Sequence, residues 1–371
     1  MLYSISEIVK YSIILAVVIV AAVIILLALA GYKTFSQMFG IYSKSYVMRG
    51  NKSRDKQDKI ASDSRSQAAL EAAEDAKKLF FTDRISGSTV YLPDILWAKK
   101  PVEYEQDFDK QKIYAYFFCA DDFEIKNSYT QESGSGRHIE EATSNKYAIV
   151  LHGYDQCGLD NYKIAFEFMR RGFNVLSPDL TGHGKDDNKF VSYGYRDRLY
   201  VKKWIEFILS HDDRAEIYLY GVSMGAATAL YTLGEELPSN IKGCISDCSF
   251  ASIYDECVKQ FKKRKKLPTF PIMNTVVLFG KMLLHYNIKK VSVKEAVEKN
   301  ENVPILFFHG EDDRFVTPDR AQTLYTSAKS KKQLVLYEQT RHAESMILNY
   351  GDYWKNVDEF IENTTEEVKD V

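Results

Sequence analysis

Five consecutive residues, Gly221-Val222-Ser223-Met224-Gly225, have the types and spacing that nucleophilic chemistry needs. AEIYLYG before them is short, apolar and β-rich, and AATALYTLGEEL after them is helical in composition, which predicts a sharp strand-to-helix turn at Ser223. Such a turn brings neighbouring residues so close that side chains two positions either side of the serine would collide. Glycine at 221 and 225 removes them. The turn lifts Ser223 above the sheet, with a helix N-terminus behind it to stabilise developing negative charge. A serine hydroxyl also needs a base. Arg341-His342-Ala343 follows the apolar run QLVLYE, and His309-Gly310-Glu311-Asp312-Asp313 follows VPILFF, giving the chain order serine, acid, histidine. His342 can accept the serine proton while a carboxylate fixes its tautomer. Residue chemistry alone does not choose between Asp312 and Asp313.

These residues require a scaffold. Downstream of about residue 146 the chain alternates short continuous apolar runs (YAIVLHG, FNVLSPD, AEIYLYG, KGCISDCS, VPILFFHG, QLVLYE) with longer amphipathic ones. Strands buried on both sides and interleaved with helices predict a mostly parallel sheet covered on both faces. Helices are expected up to Arg171, near 194–210, from 224 and near 351–363.

The chain resembles the α/β-hydrolase superfamily over about residues 105–363, and within it bacterial serine aminopeptidase-like or BEM46-like hydrolases. The resemblance rests on LHGY at 151–154, PDLTGHG at 178–184, GVSMG at 221–225, HGEDDRFVTP at 309–318 and RHAES at 341–345. It implies that the acid lies four residues after His309, which selects Asp313, and that the oxyanion is held by the backbone N–H groups of Tyr154 and Met224. Asp179 resembles the family's structural loop aspartate, while His152 and His309, in strand-end HG pairs, and His183, in GHG, are expected from that placement to organise loops rather than react. The polar insert at 126–146 and Arg341 ahead of His342 depart from the family pattern and bear on substrate more than on chemistry.

Residues 11–30, YSIILAVVIVAAVIILLALA, carry no charge and are long enough as a helix to cross the ~30 Å hydrocarbon core. A single-pass anchor is expected. The rival reading is a removable signal peptide cut after Ala28-Leu29-Ala30, against which the apolar run is long and the n-region holds only Lys10. Lys33, Lys44, Arg49, Lys52, Arg54 and Lys56 on the far side lean the globular part towards the cytoplasm. The expected organisation is a tail at 1–10, the span at 11–30, a linker and helical lead-in at 31–104, and a hydrolase domain at 105–371 with a lid at about 252–300. Residues 50–66 are polar and charged, and a helix is expected to start at Ser66.

Across 371 residues, 49 Lys plus Arg oppose 51 Asp plus Glu, so the net charge of -2 gives no case for a nucleic-acid partner. The five cysteines are odd in number and lack CxxC spacing, which argues against a disulfide framework or a zinc site, and no cofactor is expected. In the lid, Lys259, Lys262, Lys263, Arg264, Lys265 and Lys266 precede the apolar LPTFPIMNTVVLFGKMLL. That juxtaposition suits either a solvated turn before a packed helix or an anionic membrane surface. The expected activity is hydrolysis of a carboxylic ester or thioester, lipid-like because the anchor concentrates the enzyme near such substrates. An aminopeptidase-type serine peptidase and a catalytically silent binding protein on the same scaffold are the alternatives.

Overall fold

The computed structural model describes residues 5–40, 101–122 and 136–366. The expected linker at 50–66, the helix from Ser66 and much of the insert at 126–146 lie outside the described residues. The chain divides into two compact units, one made of 1–41 with 253–291 and the other of 42–252 with 292–371.

The larger unit holds an eight-stranded sheet. Its strands are β1 (Val102–Phe108), β2 (Gln111–Phe118), β3 (Lys146–Leu151), β4 (Asn174–Pro178), β5 (Glu216–Val222), β6 (Ile241–Asp247), β7 (Ile305–Gly310) and β8 (Lys332–Tyr337). They lie in the order β1-β2-β4-β3-β5-β6-β7-β8, with β1 and β2 antiparallel to their neighbours and β4 to β8 parallel through β3. This is the α/β-hydrolase fold that the sequence predicts, extended at one edge by a hairpin that begins at Val102, ahead of the expected boundary at 105.

Both faces of the sheet are covered, which explains why its central strands read as unbroken apolar runs. Ala148, Val150, Tyr218, Tyr220, Leu306 and Phe308 face a cluster with α2 (Tyr162–Met169) and α9 (Tyr350–Glu366). Tyr353 of α9 stacks 4.0 Å from Phe308 and its hydroxyl lies 2.8 Å from that of Tyr220. Ile149, Leu151, Leu219 and Phe307, on the alternate phase, are equally buried. They lie on the face covered by α3 (Asp197–His211), α4 (Met224–Leu233), α7 (Val293–Lys299) and α8 (Asp319–Ser327). Burying one such aliphatic side chain stabilises the fold by roughly 1.5–3 kcal/mol.

The smaller unit joins α1 (Ile5–Phe39) to α5 (Ile253–Lys265) and α6 (Ile272–Leu283). Helix α1 runs beyond the expected end at Ala30, because Thr34, Phe35 and Phe39 are buried and Phe35 stacks on Phe39 at 4.9 Å. The stretch after Ala30 is therefore packed helix where the sequence suggests the start of a linker. Of the expected lid at about 252–300, residues 253–291 fall in this smaller unit, while α7 belongs to the larger one.

Candidate active site

Ser223 sits between β5 and α4 with φ 55° and ψ -111°, a left-handed conformation that a side-chain-bearing residue adopts only when its surroundings impose it. Two hydrogen bonds hold it. Its N–H donates to Asp247 O at 2.8 Å, and its carbonyl accepts from Ala227 N at 3.0 Å as the first turn of α4 closes. The flanking glycines are required by close approach. A Cβ at Gly221 would lie 2.3 Å from the Gly225 carbonyl carbon, and one at Gly225 would lie 2.0 Å from Leu151 O.

His342 follows β8 and reaches back across the sheet edge, so that Ser223 Oγ donates to its Nε2 at 2.8 Å. Its Nδ1 donates to Asp313 Oδ2 at 2.6 Å. These two bonds fix the imidazole in the tautomer that can take a proton from the serine. Asp313 lies in the turn after β7. Its Oδ1 accepts the Phe315 and Val316 N–H groups at 2.8 and 2.9 Å. Burial opposes ionisation of this carboxyl, but hydrogen bonds from His309 and His342 and their attraction outweigh it and hold the group at about 2. Asp312 is exposed, and its backbone N–H donates to Thr340 O at 3.0 Å. The structure thus separates the two adjacent acids.

Tyr154 lies in the loop after β3, and Met224 follows the serine directly. Met224 is the first residue of α4 and is buried, while Gly153 lies close enough to β5 that a Cβ there would be 3.6 Å from Val222 O. The Tyr154 ring stacks on Tyr193 at 5.7 Å and meets His183 edge-on at 5.6 Å.

Three other histidines, His152, His183 and His309, brace loops. His152 donates Nδ1–H to Gly153 O at 2.8 Å and accepts Leu180 N–H at 3.0 Å, and burial, aided by nearby His183, lowers it to about 3. His183 Nδ1 lies 3.0 Å from Thr181 O, and burial lowers its pKa as well. His309 donates Nε2–H to Val316 O at 2.8 Å, tying down the loop that carries Asp313. Asp179 accepts the Gly158 and Lys185 N–H groups, each at 2.8 Å, and burial raises it to about 6. The five cysteines are buried free thiols, and burial pushes Cys157 and Cys257 up to about 12, far from a reactive thiolate.

Two groups at the site escaped the sequence reading. Asp247, at the end of β6, receives the serine N–H on its carbonyl and the Ser345 hydroxyl on Oδ1 at 2.9 Å, and burial raises its carboxyl to about 6. Phe315 is exposed, with its ring 5.0 Å from that of His342. The available signal was position alone: Asp247 ends the strand next to the one that carries the serine.

Comparison with known proteins agrees with the fold. A family model described as alpha/beta hydrolase fold matches residues 149–270, and one described as serine aminopeptidase, S33, matches residues 288–346. The chain is 29% identical over 242 residues to the uncharacterized protein YqkD of Bacillus subtilis, covering 65% of this chain and 79% of that protein. It is 23% identical to the uncharacterized protein YfhR of Escherichia coli, covering 57% and 68%. Among solved structures, the Pyrococcus furiosus esterase Pf2001 superposes with a TM-score of 0.54 at 17% identity, covering 72% of this chain and 93% of the esterase. Est1E from Butyrivibrio proteoclasticus gives 0.52 at 18% identity, covering 71% and 99%. An acylaminoacyl peptidase gives 0.50 at 15%, covering 71% of this chain and 41% of the peptidase. At these identities the solved structures share the fold.

Proposed function

Because the chain belongs to the α/β-hydrolase superfamily, we propose that it is a serine hydrolase cleaving a carboxylic ester or thioester through an acyl-enzyme on Ser223. The observation that carries this reading is the relay of short hydrogen bonds from Ser223 to His342 (2.8 Å) and from His342 to Asp313 (2.6 Å). Ser223 Oγ attacks the acyl carbonyl as His342 Nε2 takes its proton. Asp313, ionised at working pH, stabilises the imidazolium and holds its tautomer. The Tyr154 and Met224 N–H groups, the latter at the start of α4, receive the oxyanion. His342 then returns its proton to the leaving group and activates the water that releases the acid.

A lipid-like acyl group is favoured by α1, long and apolar enough to cross a membrane, and by the exposed Phe315 ring beside His342. A signal sequence shares those features of α1. Two observations support retention: the apolar run exceeds an ordinary h-region, and the helix continues unbroken past Ala30. The basic residues after the span favour a cytoplasmic catalytic domain.

An aminopeptidase-type serine peptidase is the second reading. It is supported by the serine aminopeptidase model over 288–346 and the acylaminoacyl peptidase likeness. Profiling p-nitrophenyl esters of increasing acyl length beside aminoacyl p-nitroanilides separates the two. The ester reading expects kcat/KM to rise with chain length and to exceed that for every anilide. Turnover confined to the anilides overturns it.

A further inference from the structure

Helix α1 and the lid insertion are one packing unit, and their junction falls where the apolar run ends. A Cβ at Gly31 would lie 1.8 Å from Thr275 Oγ1 of α6, so α6 approaches α1 at the residue after Ala30. Tyr32 and Phe35 then meet Phe279 with ring centroids 5.3 and 6.2 Å apart. At 1.5 Å rise per residue these contacts lie about 3–8 Å beyond the apolar run. The head-group layer on each side of a bilayer is about as thick. If residues 11–30 span the hydrocarbon, α6 is held at head-group depth.

What the insertion exposes suits that depth. Met273, Val276 and Gly280 are buried on one side of α6, while Leu278 and Met282, one turn apart, are exposed on the other. Leu267 and Phe270 precede the helix, Phe270 with 73% of its surface exposed. Beside them Lys262, Lys263, Arg264, Lys265 and Lys266 form an exposed run, and none of the five has an ion-pair partner among the described residues. Cations at the end of α5 complement its carbonyl dipole, but that role does not extend to a run continuing into exposed leucine and phenylalanine.

We propose that the insertion 253–291 docks on an anionic phospholipid surface, with Leu267, Phe270, Leu278 and Met282 in the acyl boundary and Lys262–Lys266 on the head groups. The proposal rests on α1 being retained as an anchor. Charge complementarity and continuity with the spanning helix select a lipid surface as the occupant.

The test uses the full-length chain carrying Phe270→Cys and a nitroxide label, in vesicles of mixed phosphatidylcholine and phosphatidylglycerol. Wild type serves as labelling blank because its described cysteines are buried, and Glu206→Cys, at an exposed position of α3, serves as the aqueous reference. The label at 270 is expected to be more accessible to oxygen than to nickel-EDDA, the reverse of the label at 206. Replacing Lys262, Lys263, Arg264, Lys265 and Lys266 with Gln, or omitting phosphatidylglycerol, is expected to shift it towards the aqueous value. A label at 270 matching the one at 206 in chain that survives a carbonate wash overturns docking while leaving the anchor. Loss of the chain in the wash overturns both. Dipolar broadening that vanishes on dilution with unlabelled chain assigns the surface to a second copy and overturns the proposal.

Discussion

Asp313 and His342 are brought to 2.6 Å from different loops, while Asp312, one residue earlier, points to solvent. Asp313→Asn is therefore expected to lower turnover by about 10⁴, the scale of lost tautomer control in a serine triad. Asp312→Asn is expected to stay close to wild type. Steady-state ester hydrolysis with circular dichroism on both variants checks this, and the reverse ranking would shift the acid by one residue.

The same carboxylate sets a pH window for stability. Its folded pKa of about 2 lies below the unfolded value of about 3.9, so its contribution is fully present above that value. It is lost as pH falls towards 2. The stability gap between wild type and Asp313→Asn should accordingly shrink by about 2 kcal/mol between pH 5 and pH 2, read by urea unfolding across that range. Asp247 works in the opposite sense: raised to about 6, it binds a proton more tightly in the folded state, and its contribution declines as pH rises from about 4 to about 6.

Gly225→Ala places a methyl group 2.0 Å from Leu151 O, a backbone atom with no freedom to yield cheaply. The variant is expected to lose about 1–3 kcal/mol of stability and most of its reactivity together, because β3 and the serine turn must part. Urea unfolding and the rate of active-site labelling measure the two effects. Unchanged values in both would show that the turn tolerates a side chain.

Gly31 to Phe39 packs within the smaller unit, which separates two truncations that sequence alone would treat alike. Removing residues 1–30 should give a monodisperse protein. Removing 1–40 strips Phe35 and Phe39 from that unit and should give a protein with a lower melting temperature and a tendency to aggregate. Size exclusion and thermal melting of the pair provide the readout.

Local punctuation made the serine, the acid and the histidine legible, because each follows a short apolar run and the glycines around Ser223 mark a tight turn. Their supports were not legible. The Asp247 carbonyl that accepts the Ser223 N–H and the Val316 carbonyl that ties down His309 are backbone atoms, and no side-chain type announces them. GYKTFSQMF reads as the start of a linker because its polar residues end the apolar run. Only contact with Thr275 and Phe279, far along the chain, makes it a packed helix. Likewise, residue chemistry left Asp312 and Asp313 open, and the direction of the turn after β7 decides between them in space.

Covalent labelling tests the central claim most directly. A fluorophosphonate probe incubated with the full-length protein should attach to one peptide, with the added mass on Ser223. His342→Ala should slow the reaction severely, and Ser223→Ala, folded by circular dichroism, should not react. Probe mass on another residue, or persistent labelling of folded Ser223→Ala, would contradict the account.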